Sequence, residues 1–452
     1  MYHAFLGAVA AAVLGFAPAA LSQAQLQPRP ATPGQTPVML ATEHYLFVLR
    51  GDTLFQFDVN TLQVRHRFQF PGQATGQKAA PALVPALEPK GQTEPIAEEP
   101  PPPPPPPPAT PAEASIQAAL DWLARHQDVD GRWDTDQFMK HDQDGEPCDG
   151  AGIPVHDVGV TGLAVLAMLG QGSTMRQGPY KDALKKAVAW LKDQQQENGL
   201  IGVNASHDFI YDHAIAAFAL CEAYGLSNYK LLKPVAQNAV NYLESHRNPY
   251  AVWRYQPRDN DNDTSVTTWA VAACTSAKHW GLQVNENALQ LASVWYDQVT
   301  SPDGRAGYSK AGEPSSRKPG DHATRFPVQH GEAMTAAALY GRFLLGQSPD
   351  QRESMALSAQ RLAARLPAWK ADRIDAIYWF FGTFAMLQMG GEHWTTWERA
   401  LAALPEHQRK DGNFAGSWDP VGVWDADGGR VLVTALYALA LQANARAAKL
   451  VK

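Results

Sequence analysis

From Ser115 onward, apolar residues along this chain fall into two alternating patterns. In the first, they recur at helical spacing among charged residues, and each run stops in a turn rich in Gly, Asn or Pro: "AALDWLARHQDVDGRW", "AVAWLKDQQQENGLIG", "AVNYLESHRNPYAVW" and "ALAALPEHQRKDGNF". Such a stripe predicts an amphipathic helix lying on a core. In the second, small and apolar residues occupy every face: "GVTGLAVLAMLG", "DHAIAAFALCEAYG", "SVTTWAVAACTSA", "AMTAAALYGRFLLG", "YWFFGTFAMLQMG" and "RVLVTALYALALQ". A helix apolar all round is buried all round. Two more outer segments, "ALQLASVWYDQVTSPDGRAGY" and "MALSAQRLAARLPAW", keep less of the first pattern. In order, the runs pair into six units that start near residues 116, 181, 235, 286, 354 and 395. Repeats of this length stack as supersecondary units. Six antiparallel pairs, amphipathic outside and apolar inside, are the number that closes a double ring.

The pattern upstream is different. "YLFVLRGDTLFQFDVNTLQVRHRFQFP" alternates in three short segments broken at Gly51-Asp52 and Asn60-Thr61, which predicts a small antiparallel β meander within residues 38–71. It resembles one propeller blade, which cannot close a ring alone. Residues 72–114 read as a linker whose Pro100–Pro108 run favours an extended polyproline II rod. Residues 23–37, rich in Gln and Pro, are expected to be disordered. Residues 1–22 carry an apolar run, Phe5–Ala20, and then small residues, the pattern of a signal peptide without its usual leading Lys or Arg. An uncleaved anchor is the competing reading. The expected location is outside the cytoplasm, periplasmic, secreted or envelope-associated, with no transmembrane domain in the mature chain.

Composition narrows the partners. Of 452 residues, 45% are hydrophobic and 18% charged, ordinary for a soluble globular protein. A net charge of −7 argues against nucleic acid or an anionic membrane as the main partner. Cys148, Cys221 and Cys274 allow at most one disulfide and no disulfide framework.

The "WL..Q..DG.W" turns followed by small-residue helices resemble the squalene cyclase and protein prenyltransferase repeat. "DTSVTTWAVAACTSAKHWGL", "MTAAALYGRFLLG", "IYWFFGTFAMLQMGG" and "QRKDGNFAGSWDPVGVWDADGGRVLVTALYALAL" are similar to a group of exported bacterial proteins carrying prenyltransferase and squalene oxidase repeats. The resemblance implies a mainly α fold, an (α/α)6 toroid over residues 115–446, and no activity that transfers with it.

In such a toroid the N-terminal ends of the inner helices surround one mouth. Aligned on the small-residue runs, Thr161, His213, Thr267, Thr335 and Thr434 share one level, and Asp157, Phe209, Asp263, Gly331 and Arg430 lie four residues earlier. His156, Asp208 and His330 precede these, with Asp212, Glu332 and Asp375 close by. An acid just before a helix also caps it, which is the plainer reading of Asp263 and Asp157. The turns Asp130-Gly131 and Asp411-Gly412 read as helix stops.

Three specific chemistries each require a motif that can be compared with these residues. A proton-initiated terpene cyclase needs an Asp-x-Asp-Asp motif, but the match is Asn260-Asp261-Asn262-Asp263, with asparagine at the donor position. A zinc site like that of protein prenyltransferases takes Asp, Cys and His from inner helices. Cys148-Asp149 lacks the spacing, and "HDFIYDH" would need a further ligand such as His156 or His330. "DNDND" opens like a calcium loop but has Thr264 at the glycine position and Ala270 at the bidentate acid. No metal and no cofactor is therefore expected. Trp269, Tyr211, Tyr378, Trp379, Phe380, Phe381 and Phe384 sit on inner helices, either filling a core or lining a cavity.

Two functional readings stand. The first is a binding or scaffold module, its central cavity taking an apolar, peptide or polymer ligand, with a protein partner for the β module or linker. The second is an enzyme on an isoprenoid, other apolar or glycan substrate. Its general acid/base candidates are Asp212 and Asp263, assisted by His213 and His330. Asp157, Asp208, Trp269, Glu332, Asp375, Tyr378 and Trp379 would line the ligand site, with Arg430 holding an anionic group.

Overall fold

The computed structural model describes residues 110–318 and 320–444 in full, together with the backbone of four strands between residues 38 and 69. The signal-peptide and disordered expectations lie outside the described residues, as does nearly all of the linker. Strands β1 (Val38–Ala41), β2 (Tyr45–Arg50), β3 (Thr53–Asp58) and β4 (Val64–Gln69) form one antiparallel sheet in sequence order. β1, "VMLA", pairs Val38 with Leu49 and shows no alternation by which the sequence could reveal it.

The helical unit contains α1 (Pro111–Arg125), α2 (Asp157–Gly170), α3 (Lys181–Asp193), α4 (Phe209–Ser227), α5 (Lys233–His246), α6 (Thr264–His279) and α7 (Glu286–Val299). Then follow α8 (Asp321–Arg325), α9 (Ala333–Leu344), α10 (Glu353–Ala363), α11 (Ala376–Met389), α12 (Gly391–Leu401) and α13 (Asp425–Leu441). α1 begins inside the expected linker. Thr110 and Glu113 form a capping box there, the Glu113 N–H donating to Thr110 Oγ1 and the Thr110 N–H to Glu113 Oε2 at 2.8 Å. The adjoining prolines hid that signal.

Six helices, α2, α4, α6, α9, α11 and α13, pack in ring order, and α13 closes onto α2. α1, α3, α5, α7, α10 and α12 lie outside them. The seam is fastened by polar ties between the ends of the chain: Ser115 Oγ donates to Gln408 Oε1 at 2.8 Å, and Gln442 Nε2 donates to the Ala167 carbonyl at 3.0 Å. Each such buried bond contributes about 1 kcal/mol net.

The repeat has a physical purpose at each turn. The indole N–H of Trp133, Trp253 and Trp418 donates to the carbonyls of Leu123, Leu243 and Leu404, satisfying acceptors at the end of the preceding helical stretch. An inner-helix side chain then holds the turn. Thr161 Oγ1 accepts from the Trp133 N–H at 3.0 Å, Thr267 Oγ1 from Trp253 at 3.3 Å and Thr335 Oγ1 from Ala306 at 3.3 Å. In the second unit His213 Nδ1 takes this role, accepting from the Ile201 N–H at 3.0 Å.

The lumen of the ring is crossed by aromatic side chains. Trp269 on α6 stacks on Phe380 of α11 with centroids 5.3 Å apart and also meets Phe381 at 5.0 Å. α9 stands between α6 and α11 in the ring, so these contacts bridge the interior. Phe384 lies 5.2 Å from Phe380 and 5.8 Å from Tyr340. Trp269, a candidate cavity-lining residue, is thus a buried packing residue.

Candidate functional site

Polar chemistry gathers at the N-terminal rim of the inner ring in three groups. Between α2 and α4, Gly159 lets the helices approach so closely that a Cβ there would lie 2.2 Å from Asp212 Oδ1. This places Asp212 Oδ2 3.0 Å from His156 Nδ1, while His156 Nε2 faces Asp208 Oδ2 at 4.0 Å. Burial opposes charge on His156, yet the Asp212 bond, with Asp208 and Asp427 behind it, raises its pKa. Burial likewise raises Asp212 despite the imidazole. Asp212 is 7% exposed, so it can orient His156 but has little surface to offer a substrate. Asp157 does not cap α2. Its carboxylate accepts from the backbone and hydroxyl of Thr135, and burial raises its pKa to about 6.

His213 is not at the mouth. It is fully buried, accepts from Ile201 through Nδ1 and faces the Ala239 carbonyl with Nε2 at 3.1 Å. Both ring nitrogens are therefore satisfied in the neutral form, and burial lowers its pKa to about 3. Nothing is left for acid or base work.

The acids quoted in "DNDND" diverge. Asp263 is fully buried and caps α6, accepting from the Val266 N–H at 2.8 Å and from Ser265 Oγ at 2.8 Å. Burial raises its pKa to about 6, the capping bond working against the rise. Around it Tyr211 bonds Ser265 at 2.5 Å, Tyr308 reaches Asp263 Oδ2 at 3.4 Å, and Tyr255 bonds Tyr308. Asp261 is exposed and pairs with Arg254 at 2.7 Å.

The third group lies before α9, α11 and α13. Asp375 caps α11 through the Tyr378 N–H at 2.9 Å, and Tyr378 donates its hydroxyl to the Arg365 carbonyl at 2.8 Å. Asp425, which the sequence reading passed over, is buried with Oδ1 unpartnered. Burial, with the charges of Asp375 and Asp427, raises its pKa to about 7. Segment 313–330 reaches past α11 to the loop before α13: Lys318 pairs with Asp427, His322 meets the Val423 carbonyl at 2.6 Å, and Arg325 donates to the Val421 carbonyl at 3.1 Å. Beneath it, Arg317, Arg365 and Arg373 line one cleft with His330, Asp372, Asp375 and Tyr378. Arg317 donates only to the Phe326 and Ser316 carbonyls, and burial lowers its pKa. Among the described residues, none of the three guanidinium groups comes within 4.0 Å of a carboxylate oxygen, although the charge of Asp375 acts on Arg317 across the cleft.

The other candidates face their own chain or lie in the core. His330 Nδ1 lies 3.0 Å from Asp372 within the arginine cleft, out of line for a hydrogen bond. Glu332 is buried between Arg305 and Arg361 at 3.1 and 2.9 Å and accepts from Thr335. Arg430 is fully buried, donating to the Asp149 carbonyl at 2.9 Å and to Asp419 Oδ1 at 2.7 Å, so it binds its own chain rather than an outside anion. Trp379 is buried with its indole N–H unpartnered. All three cysteines are free, and the inner-helix pair Cys221 and Cys274 is fully or almost fully buried. Among the described residues the inner helices assemble no Asp, Cys and His set, so they do not fit the zinc of a protein prenyltransferase. His126, Asp142 and Cys148 do converge, beside outer helix α1.

No family model matches the chain, and no curated protein matches it either. Solved structures do. An unsaturated glucuronyl hydrolase specific for heparin aligns at TM-score 0.51 and 15% identity over 75% of this chain and 97% of its own. The unsaturated glucuronyl hydrolase of Bacillus sp. GL1, responsible for the degradation of glycosaminoglycan, aligns at TM-score 0.51 and 12% identity over 73% and 96%. The type II terpene cyclase MstE from Scytonema aligns at 0.49 and 17% over 74% and 98%. At these identities the likeness is one of fold. The chain has an α/α toroid architecture, and a fold alone does not set an activity.

Proposed function

We propose that the toroid is a binding module whose rim cleft holds a carboxylate-bearing polymer segment. The observation that carries this reading is the convergence of Arg317, Arg365 and Arg373 on one cleft with none of them in a close carboxylate ion pair. A guanidinium fork matches a carboxylate bidentately, and partial burial strengthens that bond over its value in water. The aromatic rings bridging the lumen favour a rim ligand over an isoprenoid held deep in the ring. An acidic saccharide and an acidic peptide present the same group to such a cleft.

Calorimetric titration distinguishes them. Oligogalacturonate and a glutamate-rich peptide are titrated into the wild-type chain and into the double variant Arg317→Ala, Arg365→Ala, with neutral oligosaccharide as the control. The expected result is binding of one acidic probe that weakens with salt and falls at least ~10-fold in the variant. Equal binding of neutral and acidic probes, or an unchanged affinity in the variant, contradicts the proposal.

One observation favours an enzymatic second reading. His156 is held at Nδ1 by a buried carboxylate while Nε2 is turned toward half-exposed Asp208, the arrangement of an oriented general base. Turnover of the bound probe that His156→Ala abolishes without loss of binding supports it.

A further inference from the structure

Three donor atoms of different elements meet at the C-terminal end of α1. His126 Nε2 lies 2.9 Å from Asp142 Oδ1, and the sulfur of Cys148 joins them, all three within 4.8 Å of one another. They come from the residue that ends α1 and from the loop after the short helical turn Phe138–His141, and His126 and Cys148 are buried.

The histidine shows why this is more than a polar contact. Its Nδ1 is 2.8 Å from the Trp122 carbonyl, which can only accept, so Nδ1 carries the ring proton. In the neutral ring Nε2 then presents a lone pair, and it meets a carboxylate oxygen that can also only accept. Two lone pairs at that distance require a cation between them. A proton would join the nitrogen and the oxygen, and the Cys148 thiol bonds the same carboxylate, so three groups already centre on Asp142. A divalent metal would replace both protons and bind all three atoms at one point.

The surroundings have the form that holds a metal ligand in place. A ligating imidazole usually donates its other N–H to a carbonyl or carboxylate, which fixes its tautomer and direction. Here Trp122 supplies that carbonyl, and its indole stacks on the imidazole with centroids 4.1 Å apart. Asp142 divides its oxygens. Oδ2 accepts the Cys148 N–H at 2.6 Å, which holds that residue in the cluster and leaves Oδ1 to the metal. Nitrogen, sulfur and oxygen donors together suit zinc, whose tetrahedral bonds set donors roughly 3.3–3.8 Å apart. The His126–Asp142 pair at 2.9 Å needs only a slight opening, and the sulfur lies within 4.8 Å of both atoms.

We propose that His126, Asp142 and Cys148 form a zinc site that fastens outer helix α1 to the rim. The segment that carries two of the ligands continues directly into Asp149 and Gly150, whose carbonyls accept from the side chain and backbone N–H of Arg430 on α13. The metal therefore lies on the path between the first outer helix and the seam where the ring closes.

The test uses the full chain. Metal analysis after exhaustive buffer exchange should find about one zinc per molecule. Replacement by cobalt should give the absorption bands of a tetrahedral centre together with a thiolate-to-cobalt charge-transfer band. That band should be lost in Cys148→Ser and kept in Cys221→Ser. Chelation should lower the melting temperature of wild type and leave that of Cys148→Ser unmoved. A wild-type chain that develops no thiolate-to-cobalt band in excess cobalt overturns the proposal, whatever the variants do.

Discussion

His213 shows how one position can look catalytic and be structural. It stands where Thr161, Thr267 and Thr335 stand in other units, and like them it accepts a backbone N–H from the preceding turn. Its pKa is lowered to about 3 by burial, so folded His213 stays neutral where the unfolded chain takes up a proton. The stability it contributes is complete above pH ~6.5 and is lost as pH falls from there toward 3. His213→Thr should reduce the slope of stability against pH in that window by up to ~1.4 kcal/mol per pH unit, read from urea midpoints. An unchanged slope would mean the histidine is already protonated in the folded chain. Asp263 answers the question its segment poses. It is a cap in a buried setting, with the hydroxyls of Ser265 and Tyr308 around it. Asp263→Asn should cost little and Asp263→Ala about 1–2 kcal/mol by chemical denaturation, because Asn caps as well as Asp. Equal losses in the two would point to a need for the charge. The sequence placed both residues at inner-helix ends correctly. It could not tell a satisfied side chain from a free one, because Ile201, Ala239 and Tyr308 reach them through tertiary packing.

The inner helices were legible because nothing but burial explains runs such as "GVTGLAVLAMLG". What that text does not disclose is why its glycines recur. Gly159 and Gly162 bring α2 against α4, and a Cβ at Gly162 would lie 3.1 Å from Ile215. Gly159→Ala should push Asp212 off His156, destabilise by about 1–3 kcal/mol through overpacking, and lower the His156 pKa toward its ordinary value. Titration of the His156 ring by NMR reads the second effect, and an unmoved pKa would refute the pairing. Segment 313–330 was the least legible element. It belongs to neither repeat pattern, and its Arg317 is read as a site residue only once the chain is seen to cross toward α13. Arg365 and Arg373 both lie between α10 and α11 in sequence, yet their shared cleft with Arg317 depends on that crossing.

Six helix pairs closed edge to edge explain both what the molecule conceals and what it presents. Its lumen is bridged by Trp269, Phe380 and Phe381, so the accessible chemistry lies where inner helices begin. There the buried acids Asp263, Asp375 and Asp425 have local duties or raised pKa values, and three arginines outside any close carboxylate ion pair line the cleft under segment 313–330. Ring closure was readable by counting units. The filling of the lumen was not, because it depends on which faces of α6 and α11 meet across the interior. Hydrogen exchange measured by mass spectrometry, with and without the acidic probe that binds, tests this arrangement most directly. Ligand protection should appear in peptides covering residues 313–330 and 365–378, and be absent from the lumen-facing parts of α6 and α11. Protection along α6 and the second half of α11, with the rim peptides unaffected, would place the ligand inside the ring and contradict the account.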